Sequence, residues 1–314
     1  MRPPAPSRGV TAARPFLKWA GGKRQLLPQL RRFFPREFGA YYEPFAGSGA
    51  VFLDLASSGT LSGRQASLTD RNADIIGCYL AVRDHVESVI AALEGLEKRH
   101  TEDPARCYYD VRDAEFNAER SRLPAGAKRA TAYTASLAAM LIYLNRTGFN
   151  GLFRLNSRGG FNVPIGRYTK PRIVDADNLR RVSAVLSSPG VRIEAMPFAR
   201  SLTGPGAGDL IYLDPPYAPV SGTANFTSYT AAGFTNDDQD ALFEIILSLA
   251  RKGCHIVLSN SDAPSVRRLY ESGKARAGGL TAHEIPARRS INVRGDRRGP
   301  VTELVISTVT PRPA

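Results

Sequence analysis

The sequence predicts an α/β protein with a doubly wound sheet, interrupted by a mostly helical insertion. Short apolar segments typical of buried strands alternate with segments of helical periodicity in both halves of the 314-residue chain. Between about residues 85 and 185 the strand-like segments disappear. Alternating strands and helices favour a parallel sheet with helices on both faces, so the insertion is expected to divide one sheet-containing core.

The elements predicted before the insertion follow from spacing and from glycine-rich breaks. Apolar residues at helical spacing predict the first helix, and short apolar runs ending at a turn predict strands. In order, these elements are a helix over 23–34, a strand over 40–45, a helix opening at 51–57, a strand over 66–69 and a long, possibly broken helix over 72–97.

The remaining elements are predicted in the same way. They are a helix over 128–145, a loop or hairpin over 148–168, a helix over 179–186, strands over 191–195 and 209–213, a helix over 237–252, and strands over 255–259 and 301–309. The Pro-, Ala- and Arg-rich residues 1–14 are expected to be a disordered lead-in. The predicted core is then 15–84 with 185–314, and the predicted insertion is 85–184.

Composition narrows the class of protein. The chain carries 42 Lys and Arg against 29 Asp and Glu, a formal charge of +13, which favours a polyanionic partner. A generally basic, Arg-rich proteome would also explain that charge. No apolar run is long enough for a membrane span, and the start is unlike a secretory signal. Three scattered cysteines and four histidines without ligand spacing disfavour disulfides and zinc, and they favour a cytoplasmic protein without a metal.

A glycine-rich turn follows the first predicted strand. Residues 43–49 read EPFAGSG, and Asp70 ends the next strand 23 residues after Gly47. Glycines allow a tight turn and close approach of a ligand, and an acid at this point can accept hydrogen bonds from ribose hydroxyls. The spacing G-x-G-x-x-F disfavours a pyrophosphate-binding dehydrogenase and favours a cofactor with ribose but no phosphates, such as S-adenosylmethionine. A purely structural turn remains an alternative.

The tetrapeptide Asp214-Pro215-Pro216-Tyr217 follows a strand of the buried type. Its two prolines make a rigid backbone without donors, so the Asp214 carboxylate and the Pro215 carbonyl are fixed acceptors. Two acceptors suit the two hydrogens of an exocyclic amino group, whose lone pair they can free for attack on a methyl sulfonium. Tyr217 offers a face for stacking on a base. A strand-terminating proline turn is the structural alternative.

The cysteines exclude a related reaction. Methylation at carbon 5 of cytosine requires a cysteine nucleophile. None of Cys78, Cys107 and Cys254 follows a proline or a strand in the required place. The predicted acceptor is therefore a nitrogen.

Taken together, these segments resemble the Dam family of DNA adenine N6 methyltransferases, the D12 class, in which the cofactor half precedes the catalytic half. The resemblance runs from Phe16 to about Val309. Its motifs are FLKWAGGK at 16–23, EPFAGSGAVFL at 43–53, NRTGFNGLFRLNSRGGFNVPIGRYTKP at 145–171, DPPYAPVSGTANFTSY at 214–229, SNSD at 259–262 and RRSIN with VTEL within 288–304. The resemblance implies a Rossmann-like S-adenosylmethionine-dependent core with a DNA target-recognition insertion.

The resemblance also implies cofactor contacts, in which Asp214 serves both cofactor and target amine. Phe198 falls where the family often stacks on the cofactor adenine, but the acid that members often carry near Arg200 is missing. The implied cofactor residues are Trp19, Ala20, Gly21, Lys23, Glu43, Pro44, Phe45, Gly47, Ser48, Gly49, Asp70, Phe198 and Asp214.

Basic residues cluster in three runs that are expected to line a duplex cleft. Residues 14–36 hold seven Arg or Lys and no acid, residues 145–181 hold eight against two acids, and residues 288–298 hold five Arg against one acid. Each phosphate contact would steepen the salt dependence of binding by about one unit of slope. Solvated surface is the alternative for individual residues.

The resemblance places the DNA contacts in the 145–171 segment and at Lys18 within the FLKWAGGK motif. Members that share its arrangement recognise GATC, with Arg154 on a guanine. Phe149 falls where an aromatic side chain fills the gap left by a flipped adenine, although it could instead anchor the loop. The implied DNA-binding residues are Lys18, Arg146, Phe149, Asn150, Leu152, Arg154, Pro164 and Tyr168.

The sequence therefore predicts a cytoplasmic, monomeric, S-adenosylmethionine-dependent DNA adenine N6 methyltransferase that acts on duplex DNA, in GATC. Amino methylation of RNA or of a protein is one alternative, and a non-catalytic sequence-specific DNA-binding protein on the same fold is another. Intact Asp70, Asp214 and Tyr217 argue against the second.

Overall fold

A seven-stranded sheet forms the centre of the computed structural model, which describes residues 12–19, 21–217, 234–288 and 300–313. The strand order is β3-β2-β1-β4-β5-β7-β6. The strands are β1 (Tyr41–Glu43), β2 (Ala66–Asp70), β3 (Val191–Ala195), β4 (Leu210–Leu213), β5 (His255–Ser261), β6 (Thr281–Arg288) and β7 (Pro300–Ser307). Strands β1 to β5 are parallel, whereas β7 runs antiparallel to both of its neighbours. The predicted α/β class is confirmed.

The helices lie between these strands and in the insertion. They are α1 (Leu27–Leu30), α2 (Ala50–Ser57), α3 (Ala73–Asp84), α4 (Val86–Glu102), α5 (Pro104–Tyr109), α6 (Asn117–Arg122), α7 (Lys128–Thr131), α8 (Ala135–Thr147), α9 (Ala176–Leu186), α10 (Phe198–Ser201), α11 (Asn236–Arg251), α12 (Pro264–Tyr270) and α13 (Gly273–Ala277). A π-helical segment, Asp110–Phe116, joins α5 to α6, and 3₁₀ turns occupy Lys23–Gln25 and Phe149–Gly151.

Side-chain caps fix where several helices begin. The Asn72 side chain accepts a hydrogen bond from the Asp74 N–H and starts α3 directly after β2. Thr134 caps α8 in the same way, and Thr235 with Asp238 forms a capping box at α11. Because such a cap satisfies backbone N–H groups, each helix begins at a defined residue behind its strand or turn.

Two predicted helices are wrong as single elements. The 23–34 segment is a 3₁₀ turn followed by α1, since Pro28 cannot donate to the carbonyl four residues before it. The 128–145 segment is split into α7 and α8. Its break carries Tyr133, which packs so closely on α3 that a Cβ at Gly77 would lie 2.5 Å from the Tyr133 ring.

The predicted lead-in extends too far. Ala13 is buried, and the Arg14 N–H donates to Asn178 Oδ1 at 2.9 Å while the Arg14 guanidinium pairs with Asp175. These contacts bind residues 13 and 14 to the start of α9, so they belong to the packed structure. Residues 1–11 lie outside the described part of the chain.

The insertion packs on the core without a gap. Helix α3 follows β2 and contacts α7, α8 and α9, and one continuous cluster of buried apolar side chains reaches from Leu68 on β2 to Leu144 on α8. Within the described residues of this stretch, β-pairing is confined to two isolated bridges, Gly148 with Ile165 and Leu155 with Phe161. The recognition segment is therefore a loop and short hairpin held on a helical base.

The sheet has its topological switch between β1 and β4, where chain connections leave in opposite directions. Ligands of open α/β sheets bind at the carboxyl ends of strands at such a point. Glu43, Asp70 and Asp214 lie at the ends of β1, β2 and β4. Where residues are described, no helix combines the length and apolar character that crossing a membrane requires.

Candidate active site and DNA-reading surface

A cavity of about 480 Å³ opens at the switch point between β1 and β4. This volume lies in the range of small-molecule sites, roughly 300–1,000 Å³. Most of the residues predicted for the cofactor and the catalytic tetrapeptide line it together. They are Trp19, Gly21, Lys23, Glu43, Pro44, Phe45, Gly47, Ser48, Asp70, Phe198, Asp214, Pro215, Pro216 and Tyr217.

Two predicted cofactor residues stand apart from that set. Gly49 is not part of the cavity lining but caps α2 at φ 63°, and a Cβ there would lie 2.7 Å from the Tyr79 hydroxyl. Its glycine is therefore required by packing inside the turn. Ala20 lies outside the described residues.

Asp70 holds the glycine-rich turn in place. One carboxylate oxygen accepts from the Gly47 N–H at 3.0 Å and the other from the Asn72 N–H at 2.8 Å. Gly47 has φ 46°, and a Cβ on it would come 2.9 Å from the Trp19 ring. Trp19 thus lies directly against a backbone that only glycine allows. Burial raises the pKa of Asp70 to about 6, and its two backbone hydrogen bonds oppose that rise.

Glu43 is buried at the end of β1. Its Oε2 accepts from the Tyr41 hydroxyl at 2.7 Å and from the Phe52 N–H at 3.1 Å. Burial raises the pKa of Glu43 to about 8, so the carboxyl is largely protonated at neutral pH. Glu43 therefore links β1 to α2 beneath the cavity without placing a full charge there.

One wall of the cavity is aromatic. The rings of Phe45 and Phe198 stack with centroids 5.5 Å apart, and Phe234 lies 5.8 Å from each. A flat, apolar wall of this kind suits a planar heterocycle. Phe198 reaches this position although the acid expected nearby is absent.

Lys23 and Asp214 form an ion pair at the centre of the site. The Nζ of Lys23 lies 2.8 Å from Asp214 Oδ1 and also donates to the carbonyl of Gly21 at 2.5 Å. Burial raises the pKa of Asp214 above its ordinary value, and the positive charge of Lys23 opposes that rise. This pairing connects the opening motif at 16–23 with the catalytic tetrapeptide.

Two residues outside the predicted site set contact the catalytic tetrapeptide. The Ser259 hydroxyl donates to Asp214 Oδ1 at 3.2 Å, and Tyr217 donates its hydroxyl proton to Glu303 Oε2 at 2.6 Å. Both lie in segments that the sequence identified only as closing motifs. Ser259 is on β5 next to β4, so its placement follows from strand pairing.

The predicted DNA-reading side chains lie on the loop and hairpin that follow α8. Phe149 and Tyr168 are exposed by 37% and 38%, which is unusual for large aromatic residues, and Arg154 and Pro164 are exposed with them. The exposure of Phe149 disfavours its alternative role as a core anchor. Leu152 is half-buried behind these exposed side chains.

The loop rests on the opening segment through Asn145 at the end of α8. Its buried amide accepts from the Lys18 N–H at 2.7 Å and donates to the carbonyls of Lys18 and Gly151, both at 2.8 Å. Asn150 adopts a positive φ of 54°, which turns the chain back toward Lys18. The 145–171 segment and the 16–23 segment are therefore joined through one buried side chain.

Three predicted DNA residues have intramolecular partners. Arg154 donates from Nε and Nη2 to the side chain and carbonyl of Asn162, so one edge of its guanidinium is already held. Lys18 Nζ donates to the carbonyl of Arg146 and lies 4.0 Å from the centre of the Tyr168 ring. Arg146 itself donates from Nε to the carbonyl of Phe16 and is only partly exposed.

Several arginines of the basic runs form ion pairs within the protein. Arg14 and Arg172 pair with Asp175, Arg31 pairs with Asp54, and Arg180 pairs with Glu87. Three acids therefore offset part of the charge of these four arginines, and the lining of a duplex cleft by the basic runs stays a prediction. Arg289 to Arg298 lie outside the described residues. No cluster of His, Cys, Asp and Glu within the described ranges could hold a metal ion.

Comparison with known proteins supports the same assignment. The model of the family described as D12 class N6 adenine-specific DNA methyltransferase matches residues 19–291. The chain is 35% identical to the DNA adenine methylase of Escherichia coli K12 over 292 residues, which are 93% of this chain and 94% of that protein.

Relatives with restriction-type names match equally well. The Type II methyltransferase M1.LlaDCHI of Lactococcus lactis subsp. cremoris is 34% identical over 94% of this chain and 95% of that protein. M.MjaIII of Methanocaldococcus jannaschii is 36% identical over 91% of this chain and 95% of its own length. The resemblance inferred from the motifs is confirmed, and the chain is an enzyme that belongs to the D12 class of N6 adenine-specific DNA methyltransferases.

Proposed function

We propose that this enzyme transfers a methyl group from S-adenosylmethionine to N6 of an adenine that has been flipped out of duplex DNA, within the sequence GATC. The observation that carries this proposal is the shared cavity. Asp214 and Tyr217 of the catalytic tetrapeptide line the same space as the glycine turn at Gly47 and the Asp70 carboxylate. Donor and acceptor would therefore meet without rearrangement of the strands.

The residues present fit S-adenosylmethionine. Gly47 lets Trp19 lie directly against the turn that lines the cavity, and Phe198 offers a flat face for adenine. Each Asp70 oxygen that accepts a backbone N–H keeps a further lone pair for a ribose hydroxyl. When bound, the cofactor supplies an electrophilic methyl group on a sulfonium.

The chain's own contribution is to make the adenine amine nucleophilic. Both hydrogen bonds to Asp214 fall on Oδ1, and Oδ2 has no partner among the described residues. Oδ2 and the Pro215 carbonyl would accept the two amine hydrogens, which releases the nitrogen lone pair. The carboxylate then stabilises the positive charge that develops on nitrogen during attack, and the methylated amine becomes neutral by losing one of its protons to solvent.

The exposed residues of the recognition segment would read the bases. Arg154 keeps the Nη1–Nη2 edge of its guanidinium for a guanine, because Asn162 occupies the adjacent Nε–Nη2 edge and leaves the second Nη2 hydrogen free. Leu152, Pro164 and Tyr168 would contact neighbouring base edges, with Lys18 at the flank. Phe149 would fill the gap left by the flipped adenine.

We assign different roles to the two predicted parts of the chain. We assign base reading to 85–184 and chemistry to 15–84 with 185–314, although the two parts share buried apolar contacts. We expect the enzyme to act as a monomer in the cytoplasm.

The test is transfer of a labelled methyl group from S-adenosylmethionine to short duplexes. One duplex contains GATC, and the others change one base at a time. Asp214→Ala removes the central acceptor, and Asp237→Asn, a change in the exposed first turn of α11, is the matched control. Transfer confined to GATC, lost in the first variant and kept in the second, supports the proposal.

Three other outcomes would change the proposed function or contradict it. Transfer to adenine in another sequence would keep the chemistry and overturn the assignment of the base readers. Methyl transfer to RNA or protein alone would show that DNA is not the substrate. DNA binding without any transfer would contradict the proposed chemistry.

A further inference from the structure

The hydroxyl of Tyr217 is held by a residue far away in the sequence. It donates to Glu303 Oε2 at 2.6 Å, across a separation of 86 residues. Glu303 lies on β7, where it pairs with Ser261 of β5 on one side and Ile285 of β6 on the other. Because β7 is hydrogen-bonded on both sides, the carboxylate is presented from a rigid position.

The ring of the same tyrosine is held from a second direction. Lys23 Nζ lies 4.6 Å from the ring centroid while it pairs with Asp214 Oδ1. A cation over the ring face and an acceptor at the hydroxyl together restrict both the tilt of the ring and its rotation about the Cβ–Cγ bond. Tyr217 therefore has less freedom than a residue following two prolines would have by itself.

The hydroxyl is not needed as an acid or base. Burial and the nearby carboxylates of Asp214 and Glu303 raise the pKa of Tyr217 well above its ordinary value, so the phenol stays neutral and donates. A short hydrogen bond from a neutral donor to a carboxylate is strong and directional. Its chemical consequence is orientation.

We propose that Glu303 is a positioning residue, which fixes the Tyr217 ring at the angle required to stack on the target adenine. This inference rests on the proposed function, since it names the element that orients the acceptor in that same site. It extends the site to β7, an antiparallel strand that carries the VTEL motif, for which the sequence predicted no site residue.

A double-mutant cycle tests the proposal. Tyr217→Phe keeps the ring and removes the hydroxyl, Glu303→Met removes the acceptor at similar length, and Glu303→Gln keeps a neutral acceptor. We expect Glu303→Met to lower kcat about tenfold at saturating cofactor, a size typical of losing one charged hydrogen bond. Glu303→Gln should retain most of the rate. In the Tyr217→Phe background, Glu303→Met should not lower kcat any further.

A spectroscopic readout separates positioning from general destabilisation. With 2-aminopurine in place of the target adenine, loss of stacking on Tyr217 should raise the fluorescence of the flipped base in Glu303→Met. The KM for S-adenosylmethionine should remain unchanged. Thr302→Ala, an exposed neighbour on β7, serves as the matched control and should behave as the wild type.

Three results would overturn the inference. The first is additive loss in the double variant. The second is an equal loss of plateau rate in Glu303→Gln and Glu303→Met, because the charge of Glu303 and not its hydrogen bond to Tyr217 would then matter. The third is unchanged kcat in Glu303→Met. If Glu303→Met does not fold, Tyr217→Phe decides in its place, because it removes the same hydrogen bond: the proposal expects a similar loss of kcat, and an unchanged kcat overturns it. Absence of methyl transfer by the wild type would instead reject the proposed function.

Discussion

Replacing Lys23 with methionine should move the acid limb of the pH–rate profile of methyl transfer to higher pH. In the proposed mechanism Asp214 accepts hydrogen bonds in its ionised form, and burial already raises its pKa. The ammonium of Lys23, 2.8 Å from Asp214 Oδ1, favours the ionised form. Without that charge, protonation of Asp214 becomes easier, and activity is lost at a higher pH than in the wild type.

The size of the shift follows from the geometry. At 2.8 Å and an effective dielectric constant of ~20, the attraction is about 6 kcal/mol, equivalent to roughly four pKa units. Water that enters the enlarged space would offset part of this. Shifts of about 1–3 units are typical for one opposite charge in contact, and this is the displacement we expect.

The assay is single-turnover methyl transfer between pH 5 and 9.5 on a preformed complex at saturating cofactor, which separates chemistry from cofactor binding. Lys23→Arg keeps the positive charge and should keep the acid limb near its wild-type position. Below the shifted limb, the Lys23→Met rate should fall about tenfold per pH unit, and at high pH it should approach its plateau. An acid limb of Lys23→Met that coincides with that of the wild type would refute the electrostatic role of Lys23.

Three further predictions concern stability, cofactor binding and base reading. The pKa of Glu43, about 8, exceeds the ordinary value of 4.5, so ionisation of Glu43 should lower the free energy of unfolding by about 1.4 kcal/mol for each unit that the pH rises between about 5 and 8. In chemical denaturation, Glu43→Gln should flatten this slope, and an unchanged slope contradicts the assignment. Gly47→Ala should weaken S-adenosylmethionine binding at least about tenfold in titration calorimetry, since its Cβ would collide with Trp19 at a positive φ; unchanged affinity would show that the turn adapts. Arg154→Lys should reduce the preference for one guanine of the site over other bases by about 1–3 kcal/mol, measured as kcat/KM on duplexes with single-base changes. Arg158→Lys, at an exposed position, is the control, and equal base preference in both variants rejects Arg154 as a reader.

The sequence predicted the α/β class and much of the site because both depend on local signals. The glycine turn needs glycine at Gly47 for reasons that lie within a few residues, and the tetrapeptide at 214–217 is rigid by composition. Six of the seven strands were placed within two residues at both ends, and the five parallel ones among them are buried strands of the kind that reads as an apolar run. The motif order then indicated the family.

Elements whose signal is not local were missed or misjudged. Strand β6 reads TAHEIPAR, a polar segment at the sheet edge with an internal proline, and only its pairing with β7 makes it a strand. The helices over 104–122 lack long apolar periodicity and are fixed by contacts such as the buried Arg120–Asp74 ion pair. The break at Tyr133 depends on close packing against Gly77, which no window of sequence contains.

The sequence by itself determined the family to which this protein belongs, because turn glycines, a carboxylate followed by two prolines and a loop rich in aromatic residues are properties of short segments. Only the tertiary structure decided which distant groups tune that chemistry. Lys23 neutralises Asp214, Ser259 and Glu303 hold the catalytic tetrapeptide, and Asn162 orients Arg154. These contacts join residues that are 8 to 191 positions apart in the sequence. They form because strand pairing and burial bring the strands, helices and loops that carry these residues to one end of the sheet and to one hairpin.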